Sequence, residues 1–140
     1  MQTSPHGTRG FSLLELMVVV GVFGVLVAIS IPAISGSLRT ARLEGAANTL
    51  AADLRYARSL ATAERRTLQV TFSANAYSLN RVSPAAVVRT RTLPRGVGFA
   101  SSSTATFFPW GLTDAVDITV SDQHASNVVR LSANGSVSHD

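Results

Sequence analysis

Residues 9–34 read RGFSLLELMVVVGVFGVLVAISIPAI, and the reading of this stretch decides the fold. One carboxylate, Glu15, stands at the start of a run that is otherwise uncharged and apolar as far as Ile34. A carboxylate inside a bilayer costs about 2.5–3.5 kcal/mol at the centre of a helix, so it marks function rather than anchoring. From Leu16 to Ile34 only Ser30 and Pro32 interrupt apolar residues and glycine; about 20 such residues span a membrane as a helix. A polar leader, Met1–Arg9, precedes the run and ends in a positive charge with no acid nearby. The positive-inside bias then predicts a cytoplasmic N-terminus, with the rest of the chain across the membrane. Two other readings stay open on these residues: a secretory signal cut near Ala28 and Ser30, and a plain uncleaved anchor.

The same stretch closely resembles the class III signal of type IV pilins and pseudopilins. That resemblance implies cleavage between Gly10 and Phe11 by a prepilin peptidase, N-methylation of Phe11, and a functional Glu15. It further implies that in a filament Glu15 of one subunit neutralises the Phe11 amine of its neighbour; a buried charge that finds its partner only on assembly favours one register. Pro32 falls where many pilins carry a helix-bending proline. With no amide hydrogen and a ring that clashes with the preceding turn, it predicts a kink or local melt near Ala28–Pro32.

Beyond the membrane segment, Leu43, Ala47, Leu50, Leu54, Ala57 and Ala61 recur at spacings of three and four. This is an apolar helical stripe, with Arg39, Arg42, Asp53, Arg55, Arg58 and Glu64 largely off it. One helix from Phe11 to Ala63 would be roughly 80 Å long. Its first half has no polar face, and its second half buries one stripe against the C-terminal half of the chain. Thr67–Phe72 then alternates strictly, with Leu68, Val70 and Phe72 on one face, and Tyr77–Asn80 reads as the return strand of a hairpin. Further strands are expected at Ala86–Leu93, with Arg89 and Arg91 on one face, and at Thr106–Phe108, Val116–Val120 and Asn127–Leu131. Asn134-Gly135 signals a two-residue type I′ turn into a final strand, Ser136–Ser138. Serine-rich Ala100–Ala105 is expected to be a flexible loop. The architecture is α+β, a long helix packed on antiparallel sheet.

The stretch LAADLRYARSLATAERRTLQVTF resembles the GspH/FimT family of minor pilins and pseudopilins, in which an Ala-Arg-Ser near the helix end precedes a short basic link and an alternating strand. Ala57-Arg58-Ser59 and Arg65-Arg66 fill those places, and Leu93–Val97 and Phe108–Gly111 also match family-like positions. The resemblance implies the pilin lollipop: leader 1–10, membrane and filament-core helix 11–35, and a periplasmic globular domain 36–140.

The chain has 140 residues, no cysteine, 14% charged residues and a formal charge of +4. One domain with an N-terminal extension fits this length, and thiol chemistry is excluded. All twelve basic residues are arginine, which reflects either codon usage or selection for bidentate anion contacts. His6, His124 and His139 have no ligand spacing, so no metal or other cofactor is expected. Asp114, Asp117 and Asp122 lack the spacing and closing glutamate of a calcium loop and read as solvated acids. No catalytic constellation is present; the chain reads as the substrate of an enzyme rather than an enzyme. Arg81, Arg89, Arg91, Arg95 and Arg130 are candidate DNA contacts, with Phe108 and Trp110 as stacking groups; scattered solvated arginines and a core tryptophan are the plainer reading. In DNA-binding FimT-like pilins the resemblance places the contacts in a C-terminal Gly-Arg-x-Arg, whereas Gly135–Ser138 here lacks both arginines.

The expectation is therefore a minor pseudopilin of a type II secretion system. It would sit in the bacterial inner membrane among lipid, be cut by the prepilin peptidase, and be lifted by the inner-membrane assembly platform into a hetero-oligomeric filament of pilins. A minor pilin priming a type IV pilus, a DNA-binding competence pilin and a membrane-anchored periplasmic binding domain are the alternatives.

Overall fold

The structure, a computed structural model, describes residues 11–139, with only the backbone for 29–35. The chain divides by its contacts into two units, Met1–Ser37 and Leu38–Asp140. Gly10 lies outside the described residues, as does the side chain of Pro32, so the cleavage junction falls there; the backbone of 28–32 is helical, so the local melt expected at Pro32 does not occur.

Helix α1 runs from Leu13 to Glu64. Ser12 starts it: its Oγ accepts the Glu15 N–H at 3.2 Å and its carbonyl accepts that of Leu16. This N-cap satisfies amides that have no partner within the helix. Arg65 ends it by turning left-handed, with φ 52°. The Arg66 N–H then reaches the Ala61 carbonyl at 3.1 Å and that of Arg65 reaches Thr62 at 3.4 Å. These are the paired bonds of a Schellman cap, formed here on arginine where glycine is preferred.

Within the second unit the helical stripe is buried as its spacing predicts. Leu43, Ala47, Leu50, Leu54, Ala57 and Ala61 are all 2% exposed or less, and Ala46 and Ala51 widen the stripe. So many alanines let the sheets approach closely, and Phe72, Phe107, Leu68, Val120, Val129 and Leu131 fill the space opposite.

The strands form two four-stranded sheets. The first has the order β3 (Ala86–Thr92), β2 (Ala76–Arg81), β1 (Leu68–Ser73), β5 (Thr104–Phe107). The second has the order β4 (Gly98–Phe99), β6 (Val116–Ser121), β7 (Ser126–Leu131), β8 (Val137–His139). All ladders are antiparallel. Leu68, Val70 and Phe72 are buried in β1 and Tyr77 and Leu79 in β2, as the alternation demands.

Three local expectations are corrected. The stretch expected to be a loop, Ala100–Ala105, ends inside β5, because Thr71 pairs with Thr104 and Val70 with the fully buried Ala105. The short strand β4 was not expected; Gly98 permits it, since a Cβ there would lie 2.9 Å from the Ala74 carbonyl. The turn at Asn134-Gly135 is not type I′, which needs positive φ at both residues. Only Gly135 is left-handed, at φ 79°. Its N–H bonds to the Ser132 carbonyl and the Ser132 N–H to that of Ser136, giving a three-residue loop with glycine last.

Candidate functional site

Three surfaces carry the residues that matter. The first is the N-terminal part of α1. Thirteen large apolar side chains between Phe11 and Val27 are each at least 43% exposed, on every side of the helix. Covering such a side chain is worth roughly 1.5–3 kcal/mol, so together they stand for on the order of 20 kcal/mol. That exceeds the ~5–15 kcal/mol by which a whole domain is stable, so this surface requires lipid or other helices. Among the described residues no helix is long and apolar enough to cross a membrane; the apolar part of α1 whose side chains they include ends at Ala28, short of the ~20 residues of a span. Glu15 lies in the first turn of α1, where a negative charge complements the helix dipole. Phe11 is 80% exposed.

The second surface is organised by Arg58 of the Ala57-Arg58-Ser59 sequence. Ala57 is fully buried against the sheets, which sets Arg58 at their edge. Its Nε donates to the Gly111 carbonyl and its Nη1 to the Gly135 carbonyl, both at 3.1 Å. The two acceptors occupy equivalent places. Phe108–Leu112 closes with the same bond pattern as Ser132–Ser136, and Gly111 is left-handed at φ 84° as Gly135 is at φ 79°. One planar guanidinium thus ties two glycine-ended turns, a geometry that the single point charge of lysine would not match. Thr113 joins the same turns, its Oγ1 donating to Ser132 and its N–H to Ala133. Arg55 adds a bond from Nη2 to the Val137 carbonyl at 2.9 Å. At the tip of the first turn Trp110 stacks on Phe108, ring centroids 5.2 Å apart and planes within 5°. Trp110 is 68% exposed, so it is not the core residue of the plainer reading.

The third surface holds the sequence-selected arginines, which the fold separates. Arg81 forms a two-pronged bond with Glu64, which holds the Glu64 carboxyl below its usual range and raises Arg81. Arg89 and Arg91, on one face of β3 as expected, both reach Asp53 at 2.8 Å, and Arg89 also lies over the Tyr56 ring. Asp53 further accepts the Tyr77 hydroxyl at 2.6 Å. Burial, then that bond, pushes the Tyr77 phenol well above its ordinary value. Arg130 approaches Asp117 at 3.4 Å. Arg95 stands apart from these, in a groove with Arg39 and Arg42.

In the sequence Arg58 stands only as part of the Ala57-Arg58-Ser59 motif, and Asp53 is one of several charged residues off the apolar stripe. The partners of Arg58 lie 53 and 77 residues away, and only the glycines at the ends of two turns hinted at acceptors.

Comparison with known proteins agrees with this geometry. The family model described as Type II transport protein GspH matches residues 46–135, and the prokaryotic N-terminal methylation motif matches residues 6–31. The fold is similar to that of the type IV minor pilin FimU of Pseudomonas aeruginosa (strain PAO1). For its P21 crystal form the TM-score is 0.62 at 20% identity, over 73% of this chain and 90% of that one. For the P65 form the values are 0.59 and 21%, over 70% and 92%. No curated protein sequence matches the chain. With its long helix on antiparallel sheet, its N-terminal methylation motif and a match over most of its length, the chain belongs to the GspH family of pilin-like proteins.

Proposed function

We propose that this chain is a minor pseudopilin of a type II secretion system, a non-catalytic filament subunit that works by assembly. The observation that carries this reading is the N-terminal part of α1, apolar on every side and uncovered, with Glu15 in its first turn. Lipid covers that surface before assembly and the helices of other pilins cover it afterwards. A prepilin peptidase cuts between Gly10 and Phe11, and Phe11 is then methylated. The cut leaves an ammonium group at the N-terminus of a helix, where a cation is unfavourable. Glu15 of a neighbouring subunit supplies the opposing charge, so a correctly registered contact is favoured over a slipped one. The β domain presents the outer surface.

Two experiments test this. Mass spectrometry of the chain from the membrane fraction should show residues 1–10 removed and one methyl group added; Gly10→Val should abolish both, since a branched Cβ crowds the cleavage site. Normal processing of that variant would refute the assignment. An in-frame deletion should trap a secreted hydrolase in the periplasm, and a plasmid copy should release it. The fold shared with FimU supports a second reading, a minor pilin that primes a type IV pilus; normal secretion with lost piliation would select it.

A further inference from the structure

We propose that Arg39, Arg42 and Arg95 form a binding site for the phosphate headgroup of an anionic phospholipid. The three line one groove of about 200 Å³ with the Asp122–His124 turn. Each wall is built to hold them. Arg39 and Arg42 are three apart on α1 and so share a face. Arg95 is presented by a turn in which the Val97 N–H bonds to the Pro94 carbonyl at 3.1 Å and Gly96 is left-handed at φ 85°. That is the type II pattern, in which glycine at the third position leaves the second residue projecting. Opposite them, the β6–β7 connection closes with the Asp122 N–H on the Ala125 carbonyl.

The charges in this groove do not balance. Asp122 is its one carboxylate among the lining residues, and its Oδ1 already accepts the backbone N–H groups of His124 and Ala125 at 2.7 and 2.8 Å. Arg81, Arg89, Arg91 and Arg130 each have a carboxylate partner. Among the described residues Arg42 and Arg95 have none, and all three groove arginines are exposed. Arg39 already acts on the Asp122 carboxylate through its charge, and the guanidinium groups of Arg42 and Arg95 beside it suit a phosphate, which takes their donors in a fork.

The position in the chain selects the source of that phosphate. The inference rests here on the membrane-anchored reading proposed above. Arg39 is five positions beyond Ile34, the end of the apolar run, so it lies within about 18 Å of that end however the chain runs. Arg39 and Arg42 also lie on the flank of the apolar run that the positive-inside bias leaves poor in cations, so topology does not account for them.

The test is arginine labelling by phenylglyoxal on the full chain reconstituted into vesicles. One set contains phosphatidylcholine alone and the other equal parts phosphatidylcholine and phosphatidylglycerol. Labelling of Arg39, Arg42 and Arg95 should slow about fivefold in the anionic vesicles, the gain expected for each arginine near an anionic surface, while Arg65 and Arg66 keep their rates. Arg95→Gln should restore fast labelling of Arg42; Arg130→Gln should not. Equal rates in both vesicles overturn the site while leaving the anchoring intact, provided the chain floats with both. A chain that floats with neither overturns the anchoring and the site together. Equal protection by soluble glycerol phosphate in phosphatidylcholine vesicles also overturns the proposal, by making this a site for free anions.

Discussion

Replacing Gly135 by alanine should cost far more than replacing Gly111, although both are left-handed glycines at the ends of matching turns. The shared part is conformational: an L-residue in this region costs roughly 1–2 kcal/mol. For Gly111, at φ 84°, that is nearly all, because a Cβ there meets nothing closer than 3.8 Å. For Gly135 a Cβ would lie 2.6 Å from the Gly111 carbonyl oxygen and 2.7 Å from Arg58 Cζ. Carbon contacts are optimal near 3.5–4.0 Å, so the guanidinium must leave. Its two bonds, to Gly111 and Gly135, are each of the charged kind worth about 1.5–3 kcal/mol. Taking the lower value for a half-buried group, Gly135→Ala should lose about 4–5 kcal/mol against 1–2 for Gly111→Ala. Among the described residues the core lies within 38–140, so urea unfolding of that unit followed by circular dichroism is the assay. In an Arg58→Ala background the penalty at Gly135 should shrink by about 3 kcal/mol, leaving the left-handed conformational cost of about 1–2 kcal/mol and the contact with the Gly111 carbonyl. Equal shifts for the two glycines, or no change in that background, would refute the close approach of Arg58 to the second turn.

Three further outcomes are expected. Arg65→Gly should stabilise the unit by about 0.5–1 kcal/mol, because the helix ends on a left-handed residue whose strain glycine removes; a loss in the same unfolding assay would mean the cap is not formed. Leu50→Asp should unfold the unit, since Leu50 is fully buried and an unpaired buried charge has no compensation; an unchanged melting temperature would mean the stripe is misassigned. Tyr77 is held above its ordinary value of 10.0 by burial and then by Asp53. Its contribution is thus complete below pH 10 and is lost as pH rises above it, where the unfolded phenol ionises and the folded one does not. Melting temperature should fall from about pH 9 to 11, and Tyr77→Phe should flatten that fall; an identical slope in the variant would remove Tyr77 as its cause.

What the sequence made legible is what short-range periodicity encodes. Leu43 to Ala61 recur at helical spacing because one helix face meets the sheets, and Leu68, Val70 and Phe72 alternate because β1 has one buried face. The misses have the opposite character. Gly98–Phe99 is two residues long, too short for any alternation, and its place depends on the approach of the β1–β2 turn. Asn134-Gly135 has the composition of a type I′ turn, yet the Asn134 Oδ1 accepts the Ser136 N–H at 2.9 Å, which supports the longer loop instead. The candidate surfaces divide along the same line. Glu15 and the Gly10–Phe11 junction stand in one contiguous motif, whereas Asp53 gathers Tyr77, Arg89 and Arg91 across 24 to 38 positions of chain, so from the sequence those arginines read as candidate DNA contacts or, more plainly, as scattered solvated side chains.

Gly21 and Gly24 lie in the part of α1 whose apolar side chains are uncovered. A glycine inside a helix costs ~0.8–1.0 kcal/mol relative to alanine, and Gly98 and Gly135 repay such freedom with close approaches within the fold. Gly21 and Gly24 do not: a Cβ at either would meet no atom within 4 Å. Among the described residues nothing therefore calls for a small residue at either position. In lipid, small residues let helix backbones come close enough for van der Waals packing to replace the missing hydrophobic drive. The same requirement holds in a filament core built from such helices. The cost that Gly21 and Gly24 impose on the isolated helix is offset only once neighbouring helices are present, which is the condition that a subunit working by assembly would select for.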